Sequence, residues 1–275
     1  MTVEATLQLL SYVKKLEFTE SKVKATAKSI NTIMVLGEST SYGLSLANRE
    51  KEAYPYLLVE YLNDVVPNRK FELLNLSYPG QISDSVLLSM KRAILNLKPD
   101  LIICQFGVND SSPALNPFFK YKIFGATLPH YVMQLKTVRL AFLSFLYFKE
   151  KKRMISTDRG MYIFSDESQA SVDNFSYIEN TKNNYQETLD IISANHIPYL
   201  MLSYFTAPDQ IHDMFKELQR RNNSHYIDLD IRDQRSVDSL YSADGWHPSA
   251  LGHREIFNKI RLYLKKNDSY FRLGI

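Results

Sequence analysis

The stretch Thr32-Ile33-Met34-Val35-Leu36-Gly37-Glu38-Ser39-Thr40-Ser41-Tyr42-Gly43 sets the fold of this chain. Its apolar run, Ile33 to Leu36, breaks at Gly37 into small and hydroxylated residues, as a buried parallel strand does where it hands over to a tight turn. In open α/β sheets, ligands sit outside the carboxyl edge of the strands, so Ser39 falls where a hydroxyl is held rigidly and still meets a substrate. Ser41 is a second hydroxyl, further into the turn. An isolated strand-Gly-x-Ser turn often uses its hydroxyl only to satisfy backbone. The rest of the chain gives Ser39 its meaning.

Outward from this turn, strand-like and helix-like segments alternate. Leu57, Leu58, Tyr61 and Leu62 share one side of a helix from Ala53 to Val65, and Pro67 stops it. Phe71 to Leu76 reads as a second strand, and Ser83 is placed to cap a helix whose apolar face is Val86, Met90, Ala93, Ile94 and Leu97. After Pro99, Leu101 to Phe106 is apolar enough for a strand covered on both faces. A helix over Tyr177 to Asn195, a strand over Tyr199 to Ser203, a helix over Asp209 to Arg221 and a strand over Tyr226 to Leu229 follow. The last helix, Ala250 to Lys266, carries Ile256, Ile260, Tyr263 and Leu264 on one face and two lysines in its final turn. The alternation predicts an α/β fold: a three-layer α/β/α sandwich around a mostly parallel central sheet.

With 275 residues, 45% of them hydrophobic, the chain can bury one sizeable core. We expect one domain from 32 to 275, preceded by an amphipathic helix and linker over 1–31 and interrupted by a helical insertion at about 111–175. A net charge of +3, with no arginine-rich run and no zinc-finger spacing, gives no footprint for nucleic acid. Cys104, the single cysteine, excludes an internal disulfide and sits in an apolar run, where it reads as a core residue. No charged n-region precedes a continuous apolar stretch, so a cytoplasmic location is expected. No cofactor is expected, and without a His or Cys pair at ligand spacing, no metal either.

Four strand ends and loops can meet along one edge of such a sheet. They are Gly37-Glu38-Ser39, Asn75-Leu76-Ser77-Tyr78-Pro79-Gly80, Gly107-Val108-Asn109-Asp110 and Asp244-Gly245-Trp246-His247-Pro248. Together they supply the parts of acyl transfer. A serine hydroxyl needs a base at neutral pH, and His247 is the candidate for Ser39. Asp244, three residues earlier, can fix the histidine tautomer and stabilise the imidazolium. The backbone N–H groups of Ser39 and Gly80, with the side-chain amide of Asn109, can bind the oxyanion. Against these stand structural readings: Asp244 and Ser249 as caps of the last helix, Gly107 to Asp110 as an ordinary turn, and His253 as part of a helix face.

The blocks GES, NxSxxG, GVND and DGWHPSALGH, in that order from Ile33 to Lys266, resemble those of the SGNH hydrolases, also called the GDSL esterase/lipase family. The resemblance implies a flavodoxin-like α/β/α fold and a serine esterase. It also implies Ser39 as nucleophile, Gly80 and Asn109 as oxyanion donors, His247 as base and Asp244 as its partner. Two positions depart from the family pattern: Glu38 stands where Asp is usual, and Ser77 replaces a frequent Gly. A G-x-S-x-G elbow is absent, because Ser41 occupies the place of its second glycine, which disfavours the α/β-hydrolase fold.

The expected activity is hydrolysis of short acyl groups, such as acetyl, from a carbohydrate or small alcohol. The alternatives are a lipase, lysophospholipase or thioesterase acting on longer chains, acyl transfer to a sugar, and a non-catalytic module that keeps the fold. Between Ser111 and Arg153 eight Lys or Arg face one acid, Glu150, and Leu140 to Phe148 is apolar but for Ser144, too short to span a bilayer. Packing on the domain is the first reading of this segment; contact with acyl chains or anionic head groups at a membrane surface is the second. The oligomeric state stays open.

Overall fold

Strand β1 (Ile30–Gly37) occupies the interior because its side chains are apolar on both faces: Ile33, Met34, Val35 and Leu36 expose no surface. The structure, a computed structural model, describes residues 30–111, 174–231 and 238–275, with 122–123, 126–127, 137, 141, 154–157 and 160–163 between them. After β1 come α1 (Ser39–Tyr42), α2 (Arg49–Glu52), α3 (Tyr54–Val65), β2 (Lys70–Asn75), α4 (Ser83–Asn96) and β3 (Leu101–Gln105). The chain continues with α5 (Asn174–Ala194), β4 (Tyr199–Leu202), α6 (Asp209–Asn222), β5 (Tyr226–Ile227), α7 (Ala250–Lys266) and α8 (Asp268–Phe271).

The five strands form one sheet in the order β2-β1-β3-β4-β5, and every pairing is parallel. Ile33 lies between Leu73 and Leu101, and Gly37 opposite Gln105, so β1 and β3 end at the same level. Side chains alternate across the pleat and thereby split the core in two. Met34, Leu36, Ile102 and Cys104 face α4, α5 and α6 through Met90, Tyr185 and Phe215. Ile33, Val35, Leu101 and Ile103 face α3 and α7 through Leu58, Leu62, Ile256 and Ile260. The expected three-layer sandwich is present, and Cys104 is a buried core thiol whose pKa is pushed up by that burial.

Element boundaries follow local chemistry with three instructive shifts. Ser83 does not cap α4: Ile82 holds the N-cap position, and the Ser83 N–H donates instead to the Asp110 carboxylate at 2.9 Å. Strand β5 ends at Ile227 rather than Leu229, because the Leu229 N–H turns to Ser203 Oγ at 2.7 Å and leaves the ladder. Helix α5 starts at Asn174, ahead of Tyr177. Ser249 does cap α7, its Oγ accepting from the Gly252 N–H at 3.2 Å. The helix expected over 1–31 and the apolar run Leu140 to Phe148 lie outside the described residues; within the expected insertion, Lys122–Ile123 pairs with Ala126–Thr127 and Met154–Thr157 with Gly160–Ile163, both antiparallel. Among the described residues no helix is long and apolar enough to cross a membrane.

His253 on α7 is a core residue, as its place on the helix face suggested. Its ring is buried, stacks on Tyr54 at a centroid distance of 6.0 Å and accepts the Tyr54 N–H at Nδ1. Burial, with His247 adding to it, pushes the His253 pKa down to about 3. An unfolded histidine takes up its proton near pH 6.5, so the unfolded state binds more protons between there and about 3. The stability this neutral ring contributes is present above pH 6.5 and is lost as pH falls toward the folded value. His253→Gln is expected to flatten that part of the acid limb; melting temperatures recorded from pH 7 to pH 4 that fall in parallel with the wild type would contradict it.

Candidate active site

The turn after β1 is built on Gly37. A Cβ at that position would lie 2.3 Å from Ser41 Oγ and 2.9 Å from Ser77 Oγ, so only glycine lets the turn close over the strand end. Glu38 follows with φ −134° and ψ −146°, outside the helical region, and Ser39 opens the single helical turn α1, in which the Tyr42 N–H donates to the Glu38 carbonyl at 2.8 Å. Ser39 is 8% exposed. Ser41, in contrast, is enclosed: its Oγ shares a hydrogen bond with Tyr54 Oη at 2.7 Å and donates to Gln105 Oε1 at 2.9 Å. Gln105 passes the chain on to the Ser203 carbonyl at 2.8 Å, and Asn75 Nδ2 donates to the Ser41 carbonyl at 3.0 Å. Ser41 is therefore the support beneath the turn, while Ser39 is the hydroxyl at its mouth.

The second and third turns face each other. Gly80 has a φ of 73°, which a side chain would strain, and Asn109 Nδ2 donates to the neighbouring Gln81 carbonyl at 3.1 Å. Asp110 anchors the Asn109 turn from behind. Its carboxylate accepts from the Ser83 N–H and from Thr181 Oγ1 at 2.7 Å, joining the end of β3 to α4 and α5. Burial raises the Asp110 pKa to about 6 against the lowering effect of these donors.

The loop before α7 brings Asp244 and His247 together. His247 Nδ1 lies 2.7 Å from Asp244 Oδ2, with the two side chains 13% and 7% exposed. Asp244 Oδ1 accepts from the N–H groups of Trp246 and His247 at 2.8 and 2.9 Å and from Ser242 Oγ at 2.8 Å. Burial opposes ionisation of Asp244, but the His247 ring and these N–H groups outweigh it and hold the carboxyl well below the usual range. An ionised carboxylate at Nδ1 selects the tautomer protonated there, which leaves the Nε2 lone pair available. Asp244 is therefore neither a cap of α7 nor a surface charge. Ser45 Oγ donates to Asp244 Oδ2 at 2.9 Å, tying this loop to the segment that follows Ser39. All five residues singled out in the sequence thus lie in turns on the same edge of the sheet, although Ser39 and His247 are not hydrogen-bonded to each other.

The sequence reading missed Tyr54, Gln105 and Tyr204. Tyr204, just past β4, donates its hydroxyl to Glu38 Oε1, and the Glu38 carboxyl is fully buried. Gln105 left one legible sign, a polar residue inside an otherwise apolar strand. Among the described residues no group of three or more His, Cys, Asp or Glu side chains is arranged to hold a metal ion.

Residues 35–255 match the GDSL-like Lipase/Acylhydrolase family. The chain belongs to that family. It is an ester hydrolase of the GDSL type, and solved structures share its fold at low identity. TesA aligns with a TM-score of 0.54 and 16% identity over 86% of this chain and 99% of that one. The psychrotrophic esterase EstA from Pseudoalteromonas sp. gives 0.52 and 16% over 86% of this chain and 97% of its own. A two-domain esterase active on acetylated mannans, co-crystallized with mannopentaose, gives 0.53 and 16% over 93% of this chain and 52% of its own. No curated protein matches the chain.

In this GDSL hydrolase the Ser41 network carries structure rather than chemistry. Ser41→Ala removes one hydroxyl and strands two buried partners, Tyr54 Oη and Gln105 Oε1. A loss of about 1–3 kcal/mol is expected. Chemical denaturation measures it, and a variant as stable as the wild type would show that these bonds contribute nothing.

Proposed function

We propose that the chain hydrolyses carboxylic esters through an acyl-serine intermediate on Ser39, with His247 as general base, Asp244 as its orienting carboxylate and the N–H groups of Ser39 and Gly80 with Asn109 Nδ2 as oxyanion donors. The observation that carries this reading is the 2.7 Å contact between His247 Nδ1 and an ionised Asp244 in a loop pinned to the Ser39 segment by Ser45. As Ser39 Oγ forms its bond to the carbonyl carbon, His247 Nε2 takes the hydroxyl proton and the carbonyl π electrons move to oxygen. The tetrahedral intermediate then expels the alkoxide, which receives that proton from His247, and the acyl group stays on Ser39. Water repeats the sequence: His247 takes its proton, the C–O bond to Ser39 breaks, and the serine oxygen regains the proton as the carboxylic acid departs. Asn109 and the two N–H groups meet negative charge only in these intermediates, so they act on kcat more than on binding.

We assign the alcohol side of the substrate to a carbohydrate or other small alcohol and the acyl side to short groups such as acetyl. Trp246, 52% exposed and next in the chain to His247, and Tyr78, 55% exposed and two residues before Gly80, offer flat amphipathic rings in the loops that carry these residues. Such rings suit a pyranose face, whose C–H groups are apolar and whose rim is polar. A two-domain esterase active on acetylated mannans shares the fold, which is compatible with this assignment.

Labelling with a fluorophosphonate followed by peptide mapping tests the nucleophile and needs no knowledge of the substrate. Ser39 is the expected adduct; an adduct elsewhere, or none, overturns the assignment. Ser39→Ala and His247→Ala are each expected to remove turnover of p-nitrophenyl acetate while the melting temperature stays near that of the wild type, and Asn109→Ala to lower kcat about 100- to 1000-fold. A series of p-nitrophenyl esters is expected to fall in kcat/KM as the acyl chain lengthens; a rise toward long chains would favour a lipase or thioesterase. Trp246→Ala is expected to raise KM for an acetylated oligosaccharide more than for p-nitrophenyl acetate, and equal effects on both would remove the sugar assignment.

A further inference from the structure

The Glu38 carboxyl occupies a position that the chemistry above does not use. It lies immediately before Ser39 and exposes no surface. Glu38 Oε1 accepts from Tyr204 Oη, while Oε2 is buried and accepts no aligned hydrogen bond, although the N–H groups of Asn109 and Val108 face the carboxyl. β3 lies between β1 and β4 in the sheet, so the side chain reaches from the end of one strand, across the Asn109 turn, to the end of another. Among the described residues no Lys, Arg or His pairs with it. The other titratable groups that face it are Asp110 in the Asn109 turn, Tyr204 beyond β4 and Tyr185 on α5.

A carboxylate removed from water, with one aligned donor, two N–H groups that face it without an aligned bond and a second carboxyl nearby, is costly to ionise. Asp110 holds the better position for the negative charge, because the Ser83 N–H and Thr181 Oγ1 both donate to it. The two acids are therefore sorted by their surroundings, the charge to Asp110 and the proton to Glu38.

We propose that Glu38 and Tyr204 are a buried positioning pair in which Glu38 stays a neutral carboxylic acid and fixes the Ser39 turn relative to the loop that carries Asn109. The positioning role rests on the proposed function, whereas the neutral state does not. Glu38 spans the three strand ends through its extra methylene; an aspartate, the residue usual at this place in the family, falls short of Tyr204 by that length. Burial, with Asp110 adding to it, pushes the Glu38 pKa up to about 8 despite the Tyr204 hydrogen bond. The unfolded chain releases this proton near 4.5, so the folded state binds more protons between there and about 8. Stability from Glu38 is complete below 4.5 and drains away as pH rises through that window.

Two measurements on the full chain test the pair. The first compares thermal stability of the wild type and Glu38→Gln, which is neutral at every pH. The melting temperature of the Gln variant relative to the wild type is expected to climb from pH 5 to pH 9. Parallel curves would overturn the neutral acid, even in a protein with no esterase activity. Should Glu38→Gln not fold, Tyr204→Phe reads the same quantity. Loss of the Tyr204 donor pushes the Glu38 titration higher, so decline in stability is expected to continue past the pH at which the wild type levels off, and an unchanged profile would again overturn the proposal. The second measurement follows the rate of fluorophosphonate labelling at Ser39 and kcat for p-nitrophenyl acetate. Tyr204→Phe and Glu38→Asp are expected to lower both about tenfold or more with KM little changed, since small misplacements at a reacting centre are costly. Glu38→Gln is expected to restore most of the neutral-pH rate and to keep it above pH 8, where the wild type declines. Wild-type labelling rates in Tyr204→Phe would remove the positioning role. A wild type that turns over no ester and takes no label would refute the proposed function while leaving the stability test intact.

Discussion

The site region depends on one close approach: two serine hydroxyls shut down on the bare Cα of Gly37. With a side chain there, Ser41 could not lie 2.3 Å from the Cβ position, and the hydrogen bonds from Ser41 to Tyr54 and Gln105 would be pushed apart. Those bonds hold α1 down on the end of β1, and α1 sets where Ser39 and Glu38 point. A local steric fact thereby governs both the hydroxyl at the mouth of the turn and the acid beneath it. The sheet supplies the remainder, because parallel pairing brings β1, β2, β3 and β4 to an end along one edge.

Three carboxyls around this edge behave differently for reasons that are visible in their partners. Asp244 gathers two backbone N–H groups, two serine hydroxyls and an imidazole, and stays ionised. Asp110 gathers the hydroxyl and N–H of Ser83 and a threonine hydroxyl in the interior, and its pKa rises to about 6. Glu38 has one aligned phenol donor and two N–H groups that face it without an aligned bond, and its pKa rises further, to about 8. Burial pushes all three in one direction, and the number and alignment of donors decide how far each is pulled back. The surroundings, more than the residue type, assign each acid its part.

Apolar runs and proline stops made the sheet and most helices legible, because burial on both faces leaves no room for another pattern. Ile33 to Leu36 and Leu101 to Phe106 are of this kind, and both are central strands. The Asp244–His247 pair was legible for a different reason: three residues in a turn bring a carboxylate to an imidazole without help from elsewhere. Contacts between distant segments left no such mark. Ser41 and Gln105 are 64 positions apart and Glu38 and Tyr204 are 166 apart, and no spacing rule links them. Ser83 was misjudged for the same reason, since a local capping rule cannot foresee that Asp110, 27 positions on, will take its N–H. The early end of β5 likewise depends on Ser203, 26 positions before Leu229.

The bonds from Ser45 to Asp244 and from Tyr54 to His253 each join residues 199 positions apart. During synthesis the Ser39 turn leaves the ribosome long before the loop and helix that complete its surroundings, so a partly made chain carries the turn without Asp244, His247 and His253. Contacts of this separation close late in folding, so the surroundings of the Ser39 turn are completed only after the segments that carry Asp244 and His253 have been made.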